Sequence, residues 1–156
     1  MNLLFVCSSN VCRSPYCEYM FRRMAEEDPV TAGKIHVSSS AVLNQMKAID
    51  PKTRAALVRE GFTEEEADAH HPGVWYRDLP KFREADTIIG MTKAHKWFTP
   101  FPYRKKFITL SEAATGEYHS IPDPWLISDM DEYFAKMDII KGYLEQYFAK
   151  VRAELA

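Results

Sequence analysis

At 156 residues, 46% of them apolar, the chain has the length of one domain and enough apolar material for one core. Twenty basic against twenty-two acidic residues leave a formal charge of −2, which excludes a global field that would gather nucleic acid or an anionic membrane. No stretch approaches the roughly 20 apolar residues that span a bilayer, and the short apolar start has no basic flank, so a single cytoplasmic domain over residues 1–156 is expected.

Leu3, Leu4, Phe5 and Val6 form an unbroken apolar run, which predicts a central parallel strand buried on both faces. After the polar stretch that follows, Ser14 is placed to cap a helix and Pro15 to open it; Cys17, Met20, Phe21 and Met24 then recur at helical spacing. Residues 34–39 read as a second strand. Asp50 and Pro51 start a helix that stops at Glu60, ahead of Gly61. Residues 64–71 hold Glu64, Glu65, Glu66, His70 and His71 at spacings that match no metal-ligand pattern, and a solvated loop is expected. Residues 86–91 predict a third strand, and the basic, aromatic run 93–106 a packed helix followed by a surface loop. Residues 105–110 form a weaker fourth strand, with a loop over 111–125. Ser128 and Asp131 mark a capping-box start for a last helix whose apolar face carries Met137, Ile140, Leu144, Phe148 and Val151. This alternation predicts an α/β fold with a parallel sheet and helices on both faces, and in such sheets ligands sit beyond the C-terminal strand ends. Cys7 falls at such an end.

The segment Cys7-Ser8-Ser9-Asn10-Val11-Cys12-Arg13-Ser14 therefore joins a buried strand to a helix start. Such a loop turns successive backbone N–H groups inward, and the first helical turn adds a partial positive charge, which together suit a phosphoryl dianion. A thiol in that nest is expected to ionise and act as a nucleophile. Cys7 would attack phosphorus in line, while the N–H groups of residues 8–13 and the planar fork of Arg13 hold the oxygens. Ser14 can donate its hydroxyl to the sulfur. A phenolate leaves slowly unless it is protonated as its bond breaks, and Asp123, stiffened between Pro122 and Pro124, is the candidate acid and later the base for water. No metal or other cofactor is required.

These residues, C-x5-R-S from Cys7 followed by Pro15 and a distal Asp123-Pro124-Trp125, resemble the low-molecular-weight protein tyrosine phosphatase family over nearly the whole chain. The resemblance implies a four-stranded, flavodoxin-like parallel sheet. It assigns Cys7 as nucleophile, Arg13 as phosphate clamp, Asp123 as acid and base, and Ser14 as thiolate donor. Ser8, Ser9, Asn10, Val11 and Cys12 would line the phosphate loop, with Trp125 as an aromatic wall. Asn10 would fix the loop through Ser39 and one of His70 or His71. The family usually has glycine where Ser9 stands, so a strained or reshaped backbone is expected there. The wall between residues 41 and 49 lacks an aromatic, leaving Gln45 or Met46 in its place.

The resemblance implies hydrolysis of phosphotyrosine and aryl phosphates through a phosphocysteine, acting on a phosphorylated protein as a monomer or weak dimer, with neither nucleic acid nor membrane as partner. Phosphoarginine phosphatases of the same family are the alternative; they tend to carry threonine where Val11 stands, and an apolar Val11 better suits a phenyl ring. A non-catalytic phosphate binder or phosphocysteine carrier is less compatible, because it gains nothing from Asp123. Thiol-cascade arsenate reductases need cysteines beyond Cys17, and there are none. Cys12 is open to two readings, a reversible disulfide partner of Cys7 or a small buried side chain. Cys17, on the apolar helix face, is expected in the core.

Overall fold

The computed structural model describes residues 1–156. Four strands, β1 (Asn2–Cys7), β2 (His36–Ala41), β3 (Thr87–Gly90) and β4 (Phe107–Thr109), form an all-parallel sheet in the order β2-β1-β3-β4. The apolar start of the chain is β1, flanked by a strand on each side. Its side chains alternate between two cores. Leu3, Phe5 and Cys7 face a large cluster, while Leu4 and Val6 face a small one with Phe82 and Ile88.

The seven α-helices are α1 (Arg13–Glu27), α2 (Pro51–Arg59), α3 (Glu64–Asp68), α4 (Leu79–Glu84), α5 (Ala94–Phe98), α6 (Leu110–Thr115) and α7 (Met130–Leu155). Tyr16, Cys17, Met20 and Phe21 of α1 meet Tyr133, Met137, Ile140 and Leu144 of α7 in the large cluster, and Phe82 of α4 covers the opposite face. Each such large apolar side chain contributes about 1.5–3 kcal/mol on burial. No helix is long and apolar enough to cross a membrane.

Several expectations need correction. Helix α1 begins at Arg13 with Cys12 at its cap position and no side-chain capping bond; Ser14 is inside the helix, where its hydroxyl serves the adjoining loop instead. Strand β2 is displaced by two residues because its register with β1 runs from Asn2↔His36 to Cys7↔Ala41. The last helix is capped by Asp129, which accepts from the N–H of Asp131 at 2.9 Å, and not by Ser128. The presumed loop after β4 opens with α6, capped by Thr109 and closed by Gly116 at φ 83°. The expected loop contains α3, where Thr63 and Glu66 cap each other; the segment is solvated as expected, with only Ala67 of the helix buried before His70. Both of these helices carry the spacing T-x-x-E that marks a helix start, whereas α4, equally unforeseen, opens at Leu79 and Pro80 without a side-chain cap. The run 93–106 does form α5 and a 3-10 turn (Phe101–Lys106), yet Trp97, Phe98 and Phe101 are exposed rather than packed.

The edge strand is seated on a glycine. A methyl group on Gly90 would lie 2.3 Å from Cζ of Phe107 and 3.1 Å from Cβ of His95, so only a residue without a side chain lets β4 and α5 close over β3.

Candidate active site

Beyond the C-terminal end of β1 lies a cleft of about 390 Å3 lined by Cys7, Ser8, Ser9, Val11, Cys12 and Arg13, by Leu43, Asn44 and Met46, and by Asp123 and Trp125. Every residue expected to contact substrate lines it except Asn10, which is wholly buried beneath the loop. Of the two candidates for the second wall, Met46 lines the cleft and Gln45 does not. Trp125 is its one aromatic residue.

Asn10 organises the loop from below. It holds φ 57°, a left-handed conformation that asparagine tolerates better than most residues. The chain turns here and not at Ser9, so the strain expected at Ser9 is absent. The N–H of Gly73 donates to Asn10 Oδ1 at 2.9 Å, which orients the amide. Its Nδ2 therefore donates, to Ser39 Oγ at 2.9 Å and to Ser14 Oγ at 2.8 Å. With that oxygen accepting from Asn10, the Ser14 hydroxyl hydrogen is free to donate to Cys7 Sγ, 3.0 Å away. The histidine is His70, whose Nε2 donates to the Asn10 carbonyl at 2.8 Å; it reaches the backbone and not the amide side chain. Burial pushes the His70 pKa down.

Arg13 is 3% exposed. Its Nη1 donates to the Ile121 carbonyl at 2.7 Å, and Nη2 lies 3.5 Å from Ser8 Oγ and 3.6 Å from Asp123 Oδ2. Nε is buried and finds no protein acceptor. A buried guanidinium N–H without a partner beside a cleft is a donor suited to an anion. Asp123 is set by the 3-10 turn Pro124–Leu126, accepting from the Trp125 N–H through Oδ1 at 3.1 Å. Its other oxygen stays at the cleft, and the side chain is 47% exposed. Lys52 clasps this segment from the other side, donating to the carbonyls of Trp125 at 2.5 Å and Ile127 at 2.8 Å.

The three cysteines are free thiols. Cys12 Sγ donates to Asp50 Oδ2 at 3.6 Å, and burial together with that carboxylate pushes its pKa up to about 12. That environment favours the neutral thiol over a thiolate ready to attack. Cys17 is fully buried in the large core.

Leu43, Asn44 and His95 were not singled out from sequence. The first two continue past β2, where the N–H groups of Leu43 and Asn44 donate to the Ser8 carbonyl at 3.1 and 3.0 Å. The parallel pairing of β2 with β1 was the signal that could have found them, since it brings the next residues to the same sheet end.

A thiol at the end of the first strand of a parallel sheet, beneath a helix N-terminus and facing an arginine and a carboxylate, defines a cysteine-dependent phosphatase. The family model described as low molecular weight phosphotyrosine protein phosphatase matches residues 2–156, and the chain belongs to that family. It is 28% identical to a protein-arginine-phosphatase of Bacillus subtilis, the alignment covering 99% of each chain. Among solved structures it resembles the YwlE arginine phosphatase, captured as a C7S mutant with a phosphorylated active site serine (26% identity, 100% of both chains, TM-score 0.85). It also resembles a low molecular weight protein tyrosine phosphatase from Bacillus subtilis in solution (27% identity, 100% of both chains, TM-score 0.81). The family assignment carries with it action on phosphorylated proteins.

Proposed function

We propose that the protein hydrolyses phosphotyrosine in proteins, and aryl phosphates generally, through a phosphocysteine on Cys7. The thiolate, favoured by the Ser14 hydroxyl 3.0 Å away, attacks phosphorus from the base of the cradle. As the P–O bond breaks, Asp123 gives its proton to the departing phenolate oxygen. The same carboxylate then takes a proton from water, whose oxygen attacks phosphorus, releasing inorganic phosphate and the thiolate. Arg13 and the loop N–H groups hold the equatorial oxygens throughout, and Arg13 Nε supplies the unpartnered donor.

The observation that carries the tyrosine reading is the wall above the cradle. Val11, Leu43, Met46 and Trp125 offer a phenyl ring apolar contact, and Asp123 is the one carboxylate among the lining residues. A phosphoguanidinium brings N–H donors that need acceptors there. The phosphoarginine reading is supported by the relative named protein-arginine-phosphatase, aligned over 99% of both chains.

The deciding experiment assays phosphotyrosine, phosphoarginine and phosphoserine peptides and para-nitrophenyl phosphate side by side. The expected result is kcat/KM on phosphotyrosine at least about tenfold above phosphoarginine, no turnover in Cys7→Ser, and radiolabelled phosphocysteine accumulating in Asp123→Ala. A preference for phosphoarginine sinks the substrate reading. Negligible rates on all four favour the binder.

A further inference from the structure

The Ser8 hydroxyl lines the cleft and meets, besides Arg13, a histidine to which the steps above give no role. His95 is 3% exposed, on α5 just past the end of β3. Its Nδ1 accepts from the backbone N–H groups of Met91 at 3.1 Å and Thr92 at 3.3 Å. A backbone N–H can only donate, so Nδ1 presents its lone pair and the ring proton resides on Nε2. That nitrogen lies 3.3 Å from Ser8 Oγ and donates to it. Arg13 Nη2 donates to the same oxygen from 3.5 Å. A serine hydroxyl accepts two hydrogen bonds and donates one, and here both acceptor positions face groups with no lone pair to offer. Its own hydrogen is thereby left to the remaining direction, toward the cleft that Ser8 lines with Cys7, Arg13 and Asp123.

We propose that His95 is a positioning residue for phosphoryl transfer, its imidazole fixing the Ser8 hydroxyl as an obligatory donor to the phosphoryl group held above Cys7. The inference rests on the phosphatase reading and extends it. It gives the cradle two directional relays. One runs from Gly73 N–H through Asn10 and Ser14 to the sulfur. The other runs from Met91 and Thr92 N–H through His95 and Ser8 to an oxygen of the ligand. Protonating His95 would turn an N–H at Nδ1 against two backbone N–H groups. Burial and the charge of Arg13 accordingly push its pKa down to about 3, so the ring stays neutral and acts by direction, not by proton exchange.

The test uses inorganic phosphate, whose binding needs no turnover. Calorimetric titration compares the wild type, Ser8→Ala, His95→Asn and the double variant. Asparagine keeps an acceptor for the Met91 and Thr92 N–H groups but does not reach Ser8. Ser8→Ala is expected to weaken phosphate about tenfold, His95→Asn about fivefold, and the double variant no more than Ser8→Ala alone. The pH profile of aryl phosphate hydrolysis keeps its shape in His95→Asn. Nitrogen-15 NMR of the wild type places the His95 proton on Nε2, whatever the variants do to folding. A proton on Nδ1, or losses that multiply in the double variant, overturns the proposal. Phosphate binding with this pattern in a protein that hydrolyses nothing would sink the phosphatase reading and leave the relay standing.

Discussion

The two halves of the site are built to opposite standards. In the cradle, Cys7, Asn10, Val11, Cys12, Arg13 and Ser14 are each no more than 3% exposed, and Ser39, Asp50, His70, Gly73 and His95 each bond to it. On the acid segment, by contrast, Trp125 is 45% and Leu126 91% exposed though Ile121 and Pro124 are buried, and the ties to the rest of the chain are fewer: Ile121 N–H to the Met91 carbonyl, Arg13 to the Ile121 carbonyl, Arg13 to Asp123, and Lys52 to two further carbonyls. Donors that stabilise developing charge help most when they are fixed before the substrate arrives. A carboxyl that serves first a departing oxygen and then a water has two positions to reach, and heavy packing would hinder that. On the proposed chemistry, dense packing thus falls under the phosphorus and looser packing beside the leaving group.

The contrast can be broken most severely at Asn10. Asn10→Ala removes donors to Ser14 and Ser39 and the acceptor of Gly73 N–H, and puts alanine at φ 57°. A loss of about 3 kcal/mol in denaturant unfolding and a steep fall in kcat are expected. A variant of unchanged stability would show that the cradle is not held from below.

A smaller effect comes from acid. His70 has a folded pKa below its ordinary value, so between the two values the unfolded chain binds more protons than the native one. His95, held at about 3, acts in the same direction, so stability is complete above about pH 6.5 and declines as pH falls below it, each histidine contributing no more than about 1.4 kcal/mol per pH unit. Unfolding free energies measured between about pH 7.5 and about pH 5.5 should fall toward acid, and His70→Gln should make that fall shallower while leaving the share of His95. An equal slope in that variant would assign the effect elsewhere.

The smallest change is expected at Lys52. Lys52→Met removes the clasp on the acid segment while leaving the cradle alone, so kcat should fall about threefold with phosphate affinity unchanged and stability altered by less than about 1 kcal/mol. A weaker grip on phosphate in this variant would mean that the two halves are mechanically joined.

Much of this arrangement was legible in the chain. The doubly buried strand announced itself because Leu3 to Val6 lack any polar interruption, and Cys7, Arg13, Ser14 and Asp123 carry side chains that few other roles require together. What escaped was set by tertiary context. Ser14 has every credential of a cap, yet Asn10 and Cys7 claim its hydroxyl. Helix α3 was hidden by its charge, though Thr63 and Glu66 spell its start. His95 could not be found by spacing at all, because its meaning comes from β3 lying next to β1, a neighbour relation that no local pattern encodes.

The bare carbon at Gly90 has a reach that its chemistry conceals. Any side chain there must push on the ring of Phe107 or on Cβ of His95, and the histidine is the part of that pair whose displacement is felt at Ser8. A mutational screen scored on turnover would therefore register a sheet-interior glycine that meets none of the reacting atoms, with a loss of the order of that in His95→Asn.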